Sequence, residues 1–301
     1  MNGKQNTLIH WFPGHMTKSL RLIEENLGLI DIVLYVLDAR APLSCLNPSF
    51  DTIVGAKPVI FVLNKADLVD SNSLAPFKDF LAKRSNNPVV SLNASTSKAT
   101  DFILPIIDKM AKEKIERFKS KGVNASIRGM VIGVPNSGKS TLINNFCAKA
   151  KTVTGNKPGV TRGKQWVRVN DYFELLDTPG TLYPKLTDQT AARHLAYIGS
   201  VKDAVVDTLE LAGALFMDLV RLAPKALATR YNMDLDDILS TDDEFSMDYK
   251  TPQQKGLEQI AKARGLMQKG GVLDIEKAAV ALIDDFRKGR LGKVLLDEIS
   301  D

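Results

Sequence analysis

Only three histidines and two cysteines occur in the 301 residues. Cys45 and Cys147 lie far apart and form no metal-binding spacing, so a structural zinc site is not expected and a reduced, cytoplasmic setting is the simple reading. No apolar run approaches the length needed to cross a membrane, and no membrane partner is expected. The N-terminal MNGKQNTLIHW has neither the apolar centre of a secretory signal nor the arginine content of a transit peptide. There is no internal repeat and no low-complexity tract. The formal net charge of +5 permits a polyanionic partner without demanding one. What the chain does have is 44% hydrophobic and 25% charged residues, the profile of a soluble globular protein with room for one large or two ordinary domains.

Six short runs read as strands: DIVLYVLDA (31–39), PVIFVLN (58–64), PVVSLN (88–93), RGMVIGV (128–134), KQWVRVN (164–170) and YFELLD (172–177). The first four are almost continuously apolar, as strands covered on both faces are. Helical stretches separate most of them, among them DFILPIIDKMAKEKIERFKSKG, read as one helix. This alternation predicts an α/β fold with a mostly parallel six-stranded sheet, its last two strands forming an antiparallel hairpin. After about residue 185 only helical patterns remain. In DIEKAAVALIDDFRKG, Ile275, Ala279, Leu282, Ile283 and Phe286 share one face. The predicted division is a domain over 1–185 and a small all-α domain over 186–301.

GVPNSGKS (133–140) follows a strand and opens a helix, the setting a phosphate loop requires. Backbone N–H groups would wrap phosphates around Asn136, Ser137, Gly138, Lys139, Ser140 and Thr141. Lys139 would reach the β- and γ-phosphates, and Ser140 would ligate Mg²⁺. DTPG (177–180) ends a strand, so Asp177 is placed for Mg²⁺ and the Gly180 N–H for the γ-phosphate. NKAD (64–67) also ends a strand. Asp67 can accept from guanine N1–H and N2–H₂, a donor pair adenine lacks, so it selects GTP. Asn64 would tie this loop to the phosphate loop, and the Lys65 stem would lie along the base. In SLNAS, Asn93 and Ala94 form a second base loop, with the Ala94 N–H a donor to guanine O6. Thr161, in KPGVTRG, is either a polar loop residue or a switch threonine closing over Mg²⁺ and the γ-phosphate.

The base loops thus precede the phosphate loop, the reverse of an ordinary G domain. With WFPGHM, DARAPLS, LNKAD, GVPNSGKSTLIN, KPGVT, LLDTPGTLYPK and GGVLDIEKA, the chain resembles the circularly permuted GTPases, specifically the bacterial ribosome biogenesis GTPase A family. The resemblance covers residues 11 to about 293. It implies a circularly permuted P-loop G domain followed by a helical RNA- and ribosome-binding domain. The implied activity is hydrolysis of GTP to GDP and phosphate, stimulated by the ribosomal subunit. The implied role is late maturation of the large ribosomal subunit precursor, with rRNA as partner and GTP state gating binding and release. A monomer is expected. A GTPase in tRNA modification or another RNA-linked process is the alternative. Small GTPases commonly orient the attacking water with a Gln after the DxxG glycine; here that residue is Thr181. The family implies His15 as the catalytic replacement, although on the residues alone His15 reads as packing beside Trp11 and Phe12. By the same resemblance Asn136 marks a K⁺ site. Lys255, Lys262, Arg264, Lys269, Arg287, Lys288, Arg290 and Lys293 form a candidate RNA surface, and TLYPKLTDQT a route from nucleotide to helical domain.

Overall fold

The computed structural model describes residues 14–122, 126–147, 165–182, 188–240 and 250–299. Six strands form one sheet: β1 (Ile32–Asp38), β2 (Val59–Asn64), β3 (Val89–Leu92), β4 (Ile127–Ile132), β5 (Gln165–Arg168) and β6 (Phe173–Asp177). The spatial order is β3-β2-β1-β4-β6-β5, parallel throughout except for the β5–β6 hairpin. All six predicted runs are therefore strands. β1 and β2 are buried along their whole lengths, which explains their unbroken apolar sequence. Alternate residues feed two cores, with Val33, Tyr35 and Leu37 on one face and Ile32, Leu34 and Val36 on the other.

Around the sheet lie α1 (Gly14–Leu27), α2 (Pro48–Val54), α3 (Ser71–Ser85), α4 (Ala99–Met110), α5 (Lys112–Ser120) and α6 (Lys139–Cys147). The stretch read as a single helix after β3 is two. Ala111, at ψ 9°, bends the chain between α4 and α5, which lets Ile115 and Phe118 stay against the sheet core.

The remainder is α7 (Gln189–Tyr197), α8 (Thr208–Leu222), α9 (Pro224–Tyr231), α10 (Leu235–Leu239), α11 (Pro252–Arg264) and α12 (Ile275–Arg287). Local chemistry sets the ends. Asp188 caps α7, and Thr251 with Gln254 forms a capping box on α11, which stops at Gly265 with φ +64°. The predicted face of α12 is buried at Ala279, Leu282, Ile283 and Phe286, with Ile275 half-buried at its edge. One apolar core runs continuously from the Tyr35 face of the sheet into these helices. Among the described residues no helix is long and apolar enough to cross a membrane.

Candidate nucleotide site

The C-terminal ends of β1, β2, β3, β4 and β6 open onto the same edge of the sheet, the place where parallel α/β sheets bind ligands. The loop 133–138 leaves β4 and ends at the first turn of α6. Its backbone explains its glycines. Gly133 has φ +148° and Gly138 φ +96°, and a Cβ on Gly138 would stand 2.1 Å from Asn64 Nδ2. Asn136 also has positive φ, a conformation Asn tolerates.

Asn64, at the end of β2, joins three segments. Its Nδ2 donates to the Ser137 carbonyl at 2.8 Å, and its Oδ1 accepts from the Ala94 N–H at 2.9 Å. The link between base loop and phosphate loop is thus made as expected. The Ala94 N–H, expected to face guanine O6, here donates to Asn64. Asn93 shapes the second base loop by accepting from the Ser95 N–H. Asn145 of α6, unmarked by any motif, donates to the Ala94 and Ser97 carbonyls and accepts from the Ala99 N–H.

Lys65 adopts the left-handed region and its Nζ donates to Asp38 Oδ2 and the Asn136 carbonyl, both at 2.8 Å. Asp67 is exposed, in the single turn that follows. Burial acts to raise the Asp38 carboxyl, but the Arg40 and Lys65 cations overcome it and hold it at about 2. Arg40 is itself buried, and its guanidinium reaches the Phe286 and Arg287 carbonyls at the end of α12. Asp38 and Arg40 belong to DARAPLS, a segment whose sequence alone names no role. Its acid and base form the bridge from the base loop to the helices.

Lys139 is 6% exposed, and its Nζ donates to the Gly133 and Val134 carbonyls. An ammonium has three donors, so a phosphate oxygen would take the third. Burial pushes it down from 10.5 to about 8, with the Asp177 carboxylate pulling the other way. Asp177 ends β6 and is buried; Ser140 and Thr141, in the first turn of α6, are exposed. Gly180 lies against the phosphate loop, where a Cβ would come within 2.6 Å of Pro135 Cα and 2.8 Å of Lys139 Nζ. Thr181 is fully buried and its hydroxyl donates to the Pro179 carbonyl, so it does not face water in the site. Thr161 lies outside the described residues, as does the side chain of His15, whose backbone is in the first turn of α1.

Half of the basic cluster is paired with acidic groups of the helices. Arg264 and Arg290 pair with Asp285, Arg287 with Asp203, and Lys288 with Asp284. Lys262, Lys269 and Lys293 are exposed, and Arg264, Lys288 and Arg290 remain exposed despite their pairing. His194 is buried between Ser44 and Asp297, and both partners address the same Nδ1. A proton relay through the two ring nitrogens is therefore not what this trio forms.

A family model described as 50S ribosome-binding GTPase matches residues 128–233. The ribosome biogenesis GTPase A of Bacillus cereus is 36% identical over 293 residues, which is 96% of this chain and 94% of that protein. The mitochondrial ribosome-associated GTPase 1 of Bos taurus is 33% identical, covering 95% of this chain and 88% of its own. Among solved structures, GNP-bound YlqF from T. maritima superposes with a TM-score of 0.62 at 25% identity, over 93% of this chain and 97% of that one.

Proposed function

Since the chain belongs to the ribosome biogenesis GTPase A family and is a circularly permuted GTPase, we propose that it is an assembly factor of the large ribosomal subunit. It binds the precursor particle and its rRNA as a monomer in the cytoplasm, promotes late maturation, and leaves when GTP is hydrolysed. Residues 1–185 form the GTPase unit and 186–301 the particle-binding unit. The observation that carries this reading is the convergence of Asn64, Lys65, Lys139, Asp177 and Gly180 at one sheet edge, directly beside the helices.

The donor set at that edge is oxygen only, the Ser140 hydroxyl and the Asp177 carboxylate, which suits a hard cation. Those two residues, with Thr161, would hold Mg²⁺, which when bound neutralises charge building on the phosphates. Asn136 to Thr141 cradle the phosphates with backbone N–H groups and the start of α6. Lys139 places its charge against the γ-phosphate, and Gly180 allows the close approach of backbone beneath it. Asp67 reads guanine, with Asn64 and Asn93 holding Ala94 in place beside it. His15 orients the attacking water, a role that Thr181, buried as it is, leaves open. Asn136 offers its amide oxygen to K⁺, and a higher GTPase rate in KCl than in NaCl is expected; equal rates remove that site.

The test is GTP hydrolysis with and without purified large subunits, for the parent and His15→Ala. Stimulation in the parent that is lost in the variant supports the reading. A parent rate unmoved by the particle contradicts it.

A further inference from the structure

The phosphate loop is gripped from the helical side. Ser200 Oγ donates to the Pro135 carbonyl at 2.7 Å, and Asn136 Nδ2 donates to the Gly199 carbonyl at 2.6 Å. Ser200 is 2% exposed. Both residues lie in the turn that ends α7, and the turn is itself anchored. The Ser200 N–H donates to the Leu195 carbonyl, and Gly199 takes a positive φ of +79°. Arg287, on α12, spreads its guanidinium over the Ala196 and Tyr197 carbonyls and pairs with Asp203. The phosphate loop is thus held at Ser137 by Asn64 from the base-loop side, and at Pro135 and Asn136 from the helices. The base loop has its own brace. The Leu68 carbonyl accepts from the Val294 N–H, and Gly289 leaves no room for a Cβ against the Leu68 side chain.

We propose that Ser200 is a positioning residue for GTP binding: its hydroxyl fixes the Pro135 carbonyl, and with the Gly199 carbonyl on Asn136 it lets the helical unit set the shape of the phosphate loop. Loop N–H groups bind phosphate only when they point inward together, so a shift of the 199–200 turn changes nucleotide affinity. Coupling of this kind is reciprocal: whatever moves the helices alters GTP binding, and nucleotide alters what the helices hold. That last extension rests on the particle-binding role assigned above; the contact of Ser200 with the loop does not.

The full chain carrying Ser200→Ala or Ser200→Thr is titrated with GDP and a non-hydrolysable GTP analogue, and steady-state GTPase rates are measured. Ser200→Ala is expected to weaken both nucleotides by about five- to tenfold, the worth of one hydrogen bond. KM rises more than kcat falls. Ser200→Thr keeps the hydroxyl and returns affinity to within about twofold of the parent. Should Ser200→Ala fold poorly, Arg287→Lys carries the same test, because it loosens the turn from the opposite side; weakened nucleotide binding supports the proposal and parent-like binding overturns it. Parent-like affinity in folded Ser200→Ala, or equal losses in the Ala and Thr variants, also overturns it. Nucleotide-independent particle binding by the parent would instead remove the ribosomal reading and leave the Ser200 result standing.

Discussion

Lys139 is a charge in a place that resists it: burial takes its ammonium down to about 8, against the opposing pull of Asp177. In the unfolded chain the same group stays charged up to its ordinary 10.5. Below pH 8 the folded protein therefore carries the full cost of a charged, buried lysine, on the order of 3 kcal/mol. Between about 8 and 10.5 the unfolded state binds the extra proton, so nucleotide-free protein gains stability as pH rises through that window. Phosphate oxygens reverse the preference by favouring the charged form. Binding is thus linked to proton uptake, and GDP affinity falls as pH rises above about 8, approaching tenfold per pH unit. Calorimetric Kd values between pH 7 and 9 check this, and a flat profile contradicts it. The place of Lys139, at the loop that opens α6, was legible from the residues around it. The partners of Lys65 were not, because Asp38 comes to it from β1 and Asn136 from the phosphate loop, and nothing in NKAD names them.

At the scale of elements the phosphate loop is a backbone device, and its glycines are where it is most exposed to change. Gly138→Ala places a methyl on Asn64 Nδ2 at a φ that L-residues rarely adopt. We expect it to break the Asn64 bridge to Ser137, weaken GDP by more than about tenfold, and cost about 1–3 kcal/mol of stability. Gly28→Ala meets no atom within 4 Å and is the control, expected to lie within about 0.5 kcal/mol of the parent. Thermal melts and GDP titrations separate the two, and equal behaviour would sink the account of the loop. β1, β2 and β4 were legible because burial on both faces writes itself as continuous apolar sequence. The long helices were legible through their 3.6-residue period. The short α2, α9 and α10 were not. One or two turns show no period, and these helices exist through local caps such as Asn47 and Asp234 and through docking of residues such as Leu227, Tyr231 and Ile238. The bend at Ala111 was hidden for a related reason, since the apolar pattern continues through it.

At the scale of the whole molecule, charge that reads as a binding surface is partly spent on assembly. Asp285 has a fully buried carboxylate that accepts from Arg230, Arg264, Arg290 and the Tyr231 hydroxyl. Burial opposes its ionisation, and these donors overcome it, keeping the carboxyl well below the usual range. The hub ties α9 and α11 to α12 and the residues that follow it. Asp285→Ala removes the one partner those donors share and is expected to cost about 3 kcal/mol in denaturant unfolding. A loss under about 0.5 kcal/mol would show that the arginines find water as good a partner. None of this was legible, since the partners lie in separate helices and each looks like an ordinary surface charge. The same holds for Asp297, which closes the C-terminal segment onto Ser44 and His194. The permuted order was legible at once, because each loop announces its own chemistry; that the helices would share a core with the sheet was not.

The central claim is that loops distant in sequence meet to form one site that selects guanine. Its most direct test is calorimetric titration of the parent and Asp67→Ala with GDP and with ADP. The account predicts that the parent binds GDP far more tightly than ADP, and that Asp67→Ala loses that preference while remaining folded. A parent without preference, or a variant that keeps it, would contradict the account.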